Sequence, residues 1–107
     1  MSRTKKTAEK RVAALGWKDG TVAEFLNLTP EESALIEIKL ALSRKLRERR
    51  QKRMTQAQLA QKLRSSQSRV AKAEMGDSSV SIELLVRAIL ATGATPKDVG
   101  RAIATTR

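Results

Sequence analysis

One short signal recurs along the chain: a Thr that can cap a helix, followed three residues later by an acidic or amide side chain. The pairs are Thr21–Glu24, Thr29–Glu32, Thr55–Gln58 and Thr95–Asp98. In such a capping box each side chain bonds a free backbone N–H at the helix start. Ser66 and Ser81 stand as two further caps. Six helix starts and no stretch of strand-like alternation predict an all-α protein.

The starts also predict the bounds of the helices. We expect a short helix after Thr21 and a long one from Thr29 to about Gln51, with one apolar stripe formed by Leu35, Ile38, Leu42 and Leu46. Ile36 and Leu40 lie off that stripe, so a second neighbour must cover them. Four shorter helices should follow, over 56–63, 67–75, 82–92 and 97–104. We divide the chain into an N-terminal arm with a short helix, 1–28, and a folded domain, 29–107.

The composition excludes several kinds of site. The chain has 107 residues with no Cys and no His, which removes disulfides, thiolate nucleophiles, the usual zinc sites and the commonest general base. We see no catalytic arrangement and predict neither an enzyme nor a cofactor. No apolar run approaches the ~20 residues of a membrane span, and the basic N-terminus lacks the apolar centre of a secretory signal. A cytoplasmic protein with no membrane partner is expected.

Positive charge is concentrated in one third of the chain. Residues 39–72 hold 12 of the 22 basic residues and one of the 11 acidic ones, while the rest of the sequence is balanced. Such a block on an otherwise neutral body is typical of a protein that binds a polyanion. The alternative is a solvated basic helix that only keeps the protein soluble.

The segments 56–63 and 67–75 have the pattern of two helices joined by a tight turn. Three residues separate them, and the small side chain of Ala60 lies where the first helix must approach the second. Four apolar residues can hold the pair together: Leu59, Leu63, Val70 and Ala73. This spacing predicts a helix-turn-helix, in which the second helix projects from the body and can enter a groove.

At these residues the sequence resembles the phage-repressor-type (Xre) helix-turn-helix family. The resemblance covers about residues 30–103, and the upstream segment 28–53 is similar to the HigA-type antitoxins within that family. The positions that match the family pattern are Thr55, Gln56, Leu59, Ala60, Ser66, Val70, Glu74 and Gly76. The resemblance implies a lambda-repressor-like domain of about five helices. It also implies a transcriptional regulator that binds double-stranded DNA and associates with the nucleoid when bound.

By this resemblance the helix from Gln67 is the recognition helix, and its N-terminal end enters the major groove. We predict base contacts from Gln67, Ser68, Arg69 and Lys72, because Gln can pair with adenine and Arg or Lys with guanine. Gln56 corresponds to a family glutamine that contacts a phosphate through the helix N-terminus. For Ser68 and Arg69 the alternative is plain solvation.

Six cations are predicted to contact backbone phosphates: Arg49, Arg50, Lys52, Arg53, Lys62 and Arg64. Some of those at the end of the long helix also suit its dipole, so part of the run is structural. Arg64 stands where the family usually has Gly. If that position is left-handed, a side chain there costs roughly 1 kcal/mol, or the turn relaxes to another geometry.

The resemblance also implies a homodimer, because two modules related by a twofold axis reach successive turns of the groove. The final helix then points to Val99 and Ile103 as interface residues, although these side chains could instead complete the core. Two other functions stay open. The chain could be an antitoxin that binds a toxin protein through residues 1–28 and represses its own operon. It could also be a general nucleic-acid binder, including of RNA, although the scarcity of aromatic residues disfavours stacking on single strands.

Overall fold

The computed structural model describes residues 27–106. This part of the chain folds into five helices and contains no strand. Their bounds are α1 Pro30–Arg53, α2 Gln56–Leu63, α3 Gln67–Glu74, α4 Ile82–Ala91 and α5 Pro96–Ala104. The all-α, lambda-repressor-like prediction is therefore confirmed. The predicted arm and the helix after Thr21 lie outside the described residues, so the domain boundary stays a prediction.

The predicted caps begin these helices. Thr29, Thr55 and Thr95 each form a complete capping box with the residue three positions later. Ser66 and Ser81 each accept a hydrogen bond from the third residue of their helix. Helix starts are local, and the capping signals predict four of the five to the residue; α5 begins at Pro96, one residue before the predicted 97. The end of α1 lies two residues beyond Gln51, because Met54 closes the helix by donating its N–H to the carbonyl of Arg50.

The core is aliphatic and forms around α1, which packs against α3, α4 and α5. The largest fully buried side chains come from α1, α2 and α4: Leu42, Leu46, Leu59, Leu85 and Ile89. The prediction of a single stripe on α1 is wrong at Leu35, whose surface is 48% exposed. The fully buried part of α1 begins at Ala41, so the first turns of the helix contribute less to the core.

A second neighbour of α1 is the loop that follows α3. Gly76 begins this loop with a φ of +76°, and a Cβ at that position would lie 2.9 Å from Cδ2 of Leu40. Lys39 donates from Nζ to the carbonyl of Ser78 at 3.1 Å. These contacts hold the C-terminal end of α3 against α1, which accounts for the apolar Leu40 away from the main stripe.

The turn between α2 and α3 keeps its left-handed geometry despite the missing glycine. Arg64 has φ 54° and ψ 47°, and it ends α2 with its N–H near the carbonyls of Ala60 and Gln61. Ser65 donates its N–H to the carbonyl of Ala60 at 2.9 Å. The turn has therefore not relaxed, and the arginine occupies a backbone conformation that glycine adopts without steric cost.

We expect Arg64→Gly to raise the free energy of unfolding by about 1 kcal/mol, since it relieves the left-handed strain at an exposed side chain. Urea denaturation monitored by circular dichroism measures the change. Ser65→Gly, one residue further along the turn, is the control and should not stabilise the domain. An unchanged or lower stability for Arg64→Gly would contradict the strain assigned to this residue.

The side chains predicted for a dimer interface are largely used within one chain. Val99 is buried, 7% exposed, and Ala102 lies beside it in the same core. Ile103 is half-buried and packs against that core. Burial favours the alternative in which these residues complete the domain, because Val99 retains little surface for a partner.

Across residues 27–106, no helix is both long enough and apolar enough to cross a membrane.

Candidate nucleic-acid interface

Helix α3 has one buried face and one exposed face. Val70, Ala73 and Glu74 are buried against the body. The four side chains predicted to contact bases are all exposed: Gln67, Ser68, Arg69 and Lys72. Because residues follow at 100° on a helix, Ser68 and Lys72 lie at the centre of the exposed face and the other two at its edges. The helix therefore presents an amide, a hydroxyl and two cations to solvent.

An open groove of about 530 Å³ lies beside the N-terminal ends of α2 and α3. Its lining joins the end of α1, the start of α2 and the first residue of α3. Five predicted site residues line it: Arg50, Lys52, Arg53, Gln56 and Gln67. The N-terminus of α2 adds backbone N–H groups and the positive end of its dipole, which suit an anion.

A chain of hydrogen bonds connects α1, α2 and α3 at the edge of this groove. Arg50 donates from Nε to Oε2 of Glu74 at 2.7 Å and from a terminal nitrogen to Oε1 at 2.8 Å. Gln56 donates from Nε2 to the same Oε1 at 3.1 Å. Gln67 in turn donates from Nε2 to Oε1 of Gln56 at 3.3 Å. Gln67, at the edge of the exposed face of α3, is thus connected to an ion pair whose carboxylate is buried.

The chemistry of Glu74 sets the direction of these bonds. An ionised carboxylate only accepts, so the amide nitrogen of Gln56 must face it and the amide oxygen must face Gln67. Gln67 then uses one N–H toward Gln56. Its other N–H and its oxygen make no hydrogen bond within residues 27–106, so this exposed side chain keeps one donor and one acceptor available. That pair matches the N7 acceptor and N6 donor of adenine in the major groove.

Burial raises the pKa of Glu74, but the hydrogen bonds from Arg50 and Gln56 and the charges of Arg50 and Arg47 outweigh it. The pKa therefore lies below the usual value, and the carboxyl group stays ionised at neutral pH. The Glu74 side chain is 4% exposed and the Arg50 side chain 14%, so water screens the pair poorly.

This shift predicts how stability depends on pH. A carboxyl group whose pKa is lower in the folded than in the unfolded state stabilises the fold fully above the unfolded value of about 4.3. That contribution is lost as the pH falls through the lowered pKa. We expect the stability difference between the native protein and Glu74→Gln to be constant near neutrality and to narrow below about pH 4. Urea titrations from pH 7 to pH 3 measure it; a difference that widens in acid would contradict the direction of the shift.

Two of the predicted phosphate-contacting arginines face the protein. The guanidinium of Arg50 is paired with Glu74, as described above. Arg49 is half-buried and donates from Nε to the hydroxyl of Thr92 at 3.1 Å, at the end of α4. Because neighbouring residues on a helix point 100° apart, the two arginines bind different neighbours of α1. We assign both to holding α1 in place and leave them out of the proposed DNA-contacting set.

Lys52, Arg53, Lys62 and Arg64 are exposed. The first two line the groove at the start of α2, and the other two lie at the far end of that helix. The six cations predicted to contact phosphates thus divide into two groups. Arg49 and Arg50 form hydrogen bonds within the fold, and the other four are exposed.

Two features of the site were not predicted from sequence. Glu74 matched the family pattern, but nothing local indicated that it pairs with Arg50, which lies 24 residues earlier. Met75 ends α3 with a side chain 76% exposed, the largest exposure among the bulky apolar residues of the described part. It lies three residues after Lys72 and so continues the exposed face of α3. Within 27–106 no group of three acidic, His or Cys side chains is placed to hold a metal ion.

Comparison with known proteins identifies the helix-turn-helix. A family profile described as helix-turn-helix matches residues 44–99, slightly more than half of the chain. The matched range runs from the second half of α1 to the middle of α5, and it contains both helices of the predicted motif. No curated protein and no solved structure matches the chain.

Proposed function

Because the chain belongs to the helix-turn-helix family of DNA-binding transcription regulators, we propose that it binds a specific double-stranded DNA sequence. In this proposal α3 enters the major groove with its N-terminal end first. Gln67, Ser68 and Lys72 read base edges, and Arg69 contacts a base or a neighbouring phosphate. Gln56 contacts a phosphate at the N-terminus of α2.

One observation carries the proposal: the hydrogen-bond chain from Arg50 through Glu74 and Gln56 to Gln67. An exposed glutamine normally samples several rotamers. Here it is connected to a buried ion pair, which limits its freedom before any ligand binds. A pre-organised donor and acceptor on a projecting helix favours reading a base over general attraction to charge.

The exposed cations at the two ends of α2 suit contacts to the phosphate backbone of the DNA. Lys52 and Arg53 adjoin the start of α2, and Lys62 and Arg64 lie at its end. Such contacts position the module and make binding depend on salt, because each neutralised phosphate releases counterions. They supply affinity without sequence preference.

We also propose that two copies act together on a site with twofold symmetry, since one short helix reads only half of a typical site. Val99 is buried in its own core, which favours a contact between copies through other surface residues. Of the two interface residues predicted from sequence, the partly buried Ile103 remains a candidate for the contact between copies, together with the exposed residues of α5.

Selection from a randomised duplex pool, followed by titration at two salt concentrations, tests the proposal. We expect an enriched sequence, with half-sites about 10 base pairs apart when two copies bind. At higher salt the affinity should fall while the preference for that sequence remains. Binding that selects no sequence and vanishes with salt would refute specific recognition.

A further inference from the structure

A second groove, of about 500 Å³, lies between α1 and α5 and takes no part in the site described above. Its floor is formed by two buried small residues, Ala41 on α1 and Ala102 on α5. Its rim is polar, and the residues that form it are Arg44, Lys45, Glu48, Arg101 and Thr105. We name it the α1–α5 groove.

The α1–α5 groove opens on the side of α1 away from the recognition helix. Arg50 points to α3, where it bonds Glu74. Ala41 precedes Arg50 by nine residues, which at 100° per residue places it half a turn round the helix. Glu48 precedes Arg50 by two residues, so it also points away from α3. A molecule seated in this groove therefore leaves α3 free.

Positive charge dominates the rim. Arg44, Lys45 and Arg101 contribute three cations against the single carboxylate of Glu48. That carboxylate lies 3.7 Å from Nζ of Lys45, so it offsets a charge within the rim. Arg101 is 68% exposed, and a terminal nitrogen lies 3.4 Å from Oδ1 of Asp98, a carboxylate beside the rim that partly offsets its charge. The rim thus offers guanidinium donors that can pair with carboxylates.

The floor suits the backbone of a helix more than a large side chain. Two alanines leave room for two helix axes to approach at about 8 Å, the short end of the usual range. Along α1 the groove runs from Ala41 to Glu48, about 10 Å, or two helical turns. A helix with small residues on its seated face and carboxylates on its flanks complements both the floor and the rim.

A second copy of this chain is the poorer occupant. The protein carries a net charge of +11, and a symmetric contact would bring the three rim cations of both copies into one interface, with only the rim carboxylate Glu48 of each copy to offset them. We propose that the α1–α5 groove docks an acidic helical segment of a different protein, in a manner compatible with DNA on α3.

The test uses the full chain and a defined probe. The probe is a fluorescent 18-residue helical peptide with Ala along one face and Glu on both flanks, and its counterpart has Gln for every Glu. We expect the Glu peptide to bind more tightly than the Gln peptide in fluorescence anisotropy. Arg44→Glu combined with Arg101→Glu should weaken the Glu peptide at least tenfold. Arg44→Gln with Arg101→Gln should give a smaller loss.

Arg87→Glu is the control for net charge and is compared with Arg44→Glu alone, because it makes the same single change at an exposed residue of α4 outside the groove. It should alter peptide affinity less than twofold. Circular dichroism and a thermal melt verify that each variant is folded. Saturating a preformed complex with a non-specific 20-base-pair duplex separates the two polyanion surfaces: the peptide should remain bound.

Four results would overturn the proposal. The Gln peptide could bind as tightly as the Glu peptide, or Arg87→Glu could weaken binding as much as Arg44→Glu alone. The duplex could displace the peptide, which would place the peptide on the DNA-binding surface. Sedimentation could show self-association that the groove variants abolish, which would assign the groove to a second copy. The variant comparison decides the question even if the duplex does not bind.

Discussion

Arg50→Ala is expected to lower the free energy of unfolding by about 3–5 kcal/mol, because it leaves the carboxylate of Glu74 buried without its cation. That carboxylate is 4% exposed and would keep only the amide of Gln56 as a hydrogen-bond donor among the contacts described. A loss of this size is a large part of the stability of a small domain. Urea denaturation at pH 7 measures it.

Lys52→Ala is the matched control for Arg50→Ala, since Lys52 lies on the same turn of α1 and is exposed. Its effect should stay within about 0.5 kcal/mol. A loss below 1 kcal/mol for Arg50→Ala would mean that water reaches the Arg50–Glu74 pair in solution. It would also mean that this pair does not hold Gln67 in a fixed orientation.

A double variant separates stability from positioning. Arg50→Met with Glu74→Leu replaces the ion pair by apolar side chains of similar size, a change that is often neutral or stabilising. The domain should then fold as well as the native protein. Gln56, however, has lost the acceptor that fixes its amide, so we expect weaker binding to the selected duplex. Full retention of both stability and affinity would show that the ion pair does not position the reading face.

Gln67→Ala is expected to weaken binding to the selected duplex by roughly 5- to 150-fold, which corresponds to about 1–3 kcal/mol for one lost bidentate contact to a base. Binding to unrelated duplexes should change little, since that depends on phosphate contacts. The specificity ratio therefore falls together with the affinity. Anisotropy titrations on the selected duplex, and on variants changed at single base pairs, measure both quantities.

Gln61→Ala is the control, since it removes the same side chain from an exposed position of α2 and should leave both affinity and specificity unchanged. Lys62→Ala gives a different signature. It should weaken all duplexes alike and reduce the slope of log affinity against log salt by about 1. If Gln67→Ala lowered binding to every sequence equally, Gln67 would be a backbone contact and α3 would not read bases through it.

Much of the fold was predictable from sequence because its signals are local. A cap at Thr55 depends on Gln58 three residues away, and the structure has both hydrogen bonds of that box. The left-handed turn at Arg64 was less certain from sequence, since the family glycine is absent. Arg64 keeps the left-handed conformation because the packing of α2 against α3 outweighs a local backbone strain of about 1 kcal/mol.

The division of the cationic run could not be predicted in the same way. Arg49, Arg50 and Lys52 look equivalent in a sequence where seven cations crowd ten residues. Their roles depend on which helices flank α1, and those helices lie 20 to 45 residues further along the chain. Only the assembled fold turns Arg50 toward Glu74 and Arg49 toward Thr92, while Lys52 stays in solvent.

If Gln67 reads a base as proposed above, the fixed orientation of the Gln56 amide restricts which side chains at position 67 can read another base. Gln56 presents its oxygen to position 67 for as long as Glu74 is ionised beside its nitrogen. An Arg at position 67 can still donate to that oxygen, so under this proposal one substitution would change the preferred base from adenine to guanine. A Glu at position 67, the natural partner of cytosine, would set its carboxylate against the same oxygen. Recognition of cytosine at this position therefore requires at least a second change, at Gln56 or Glu74.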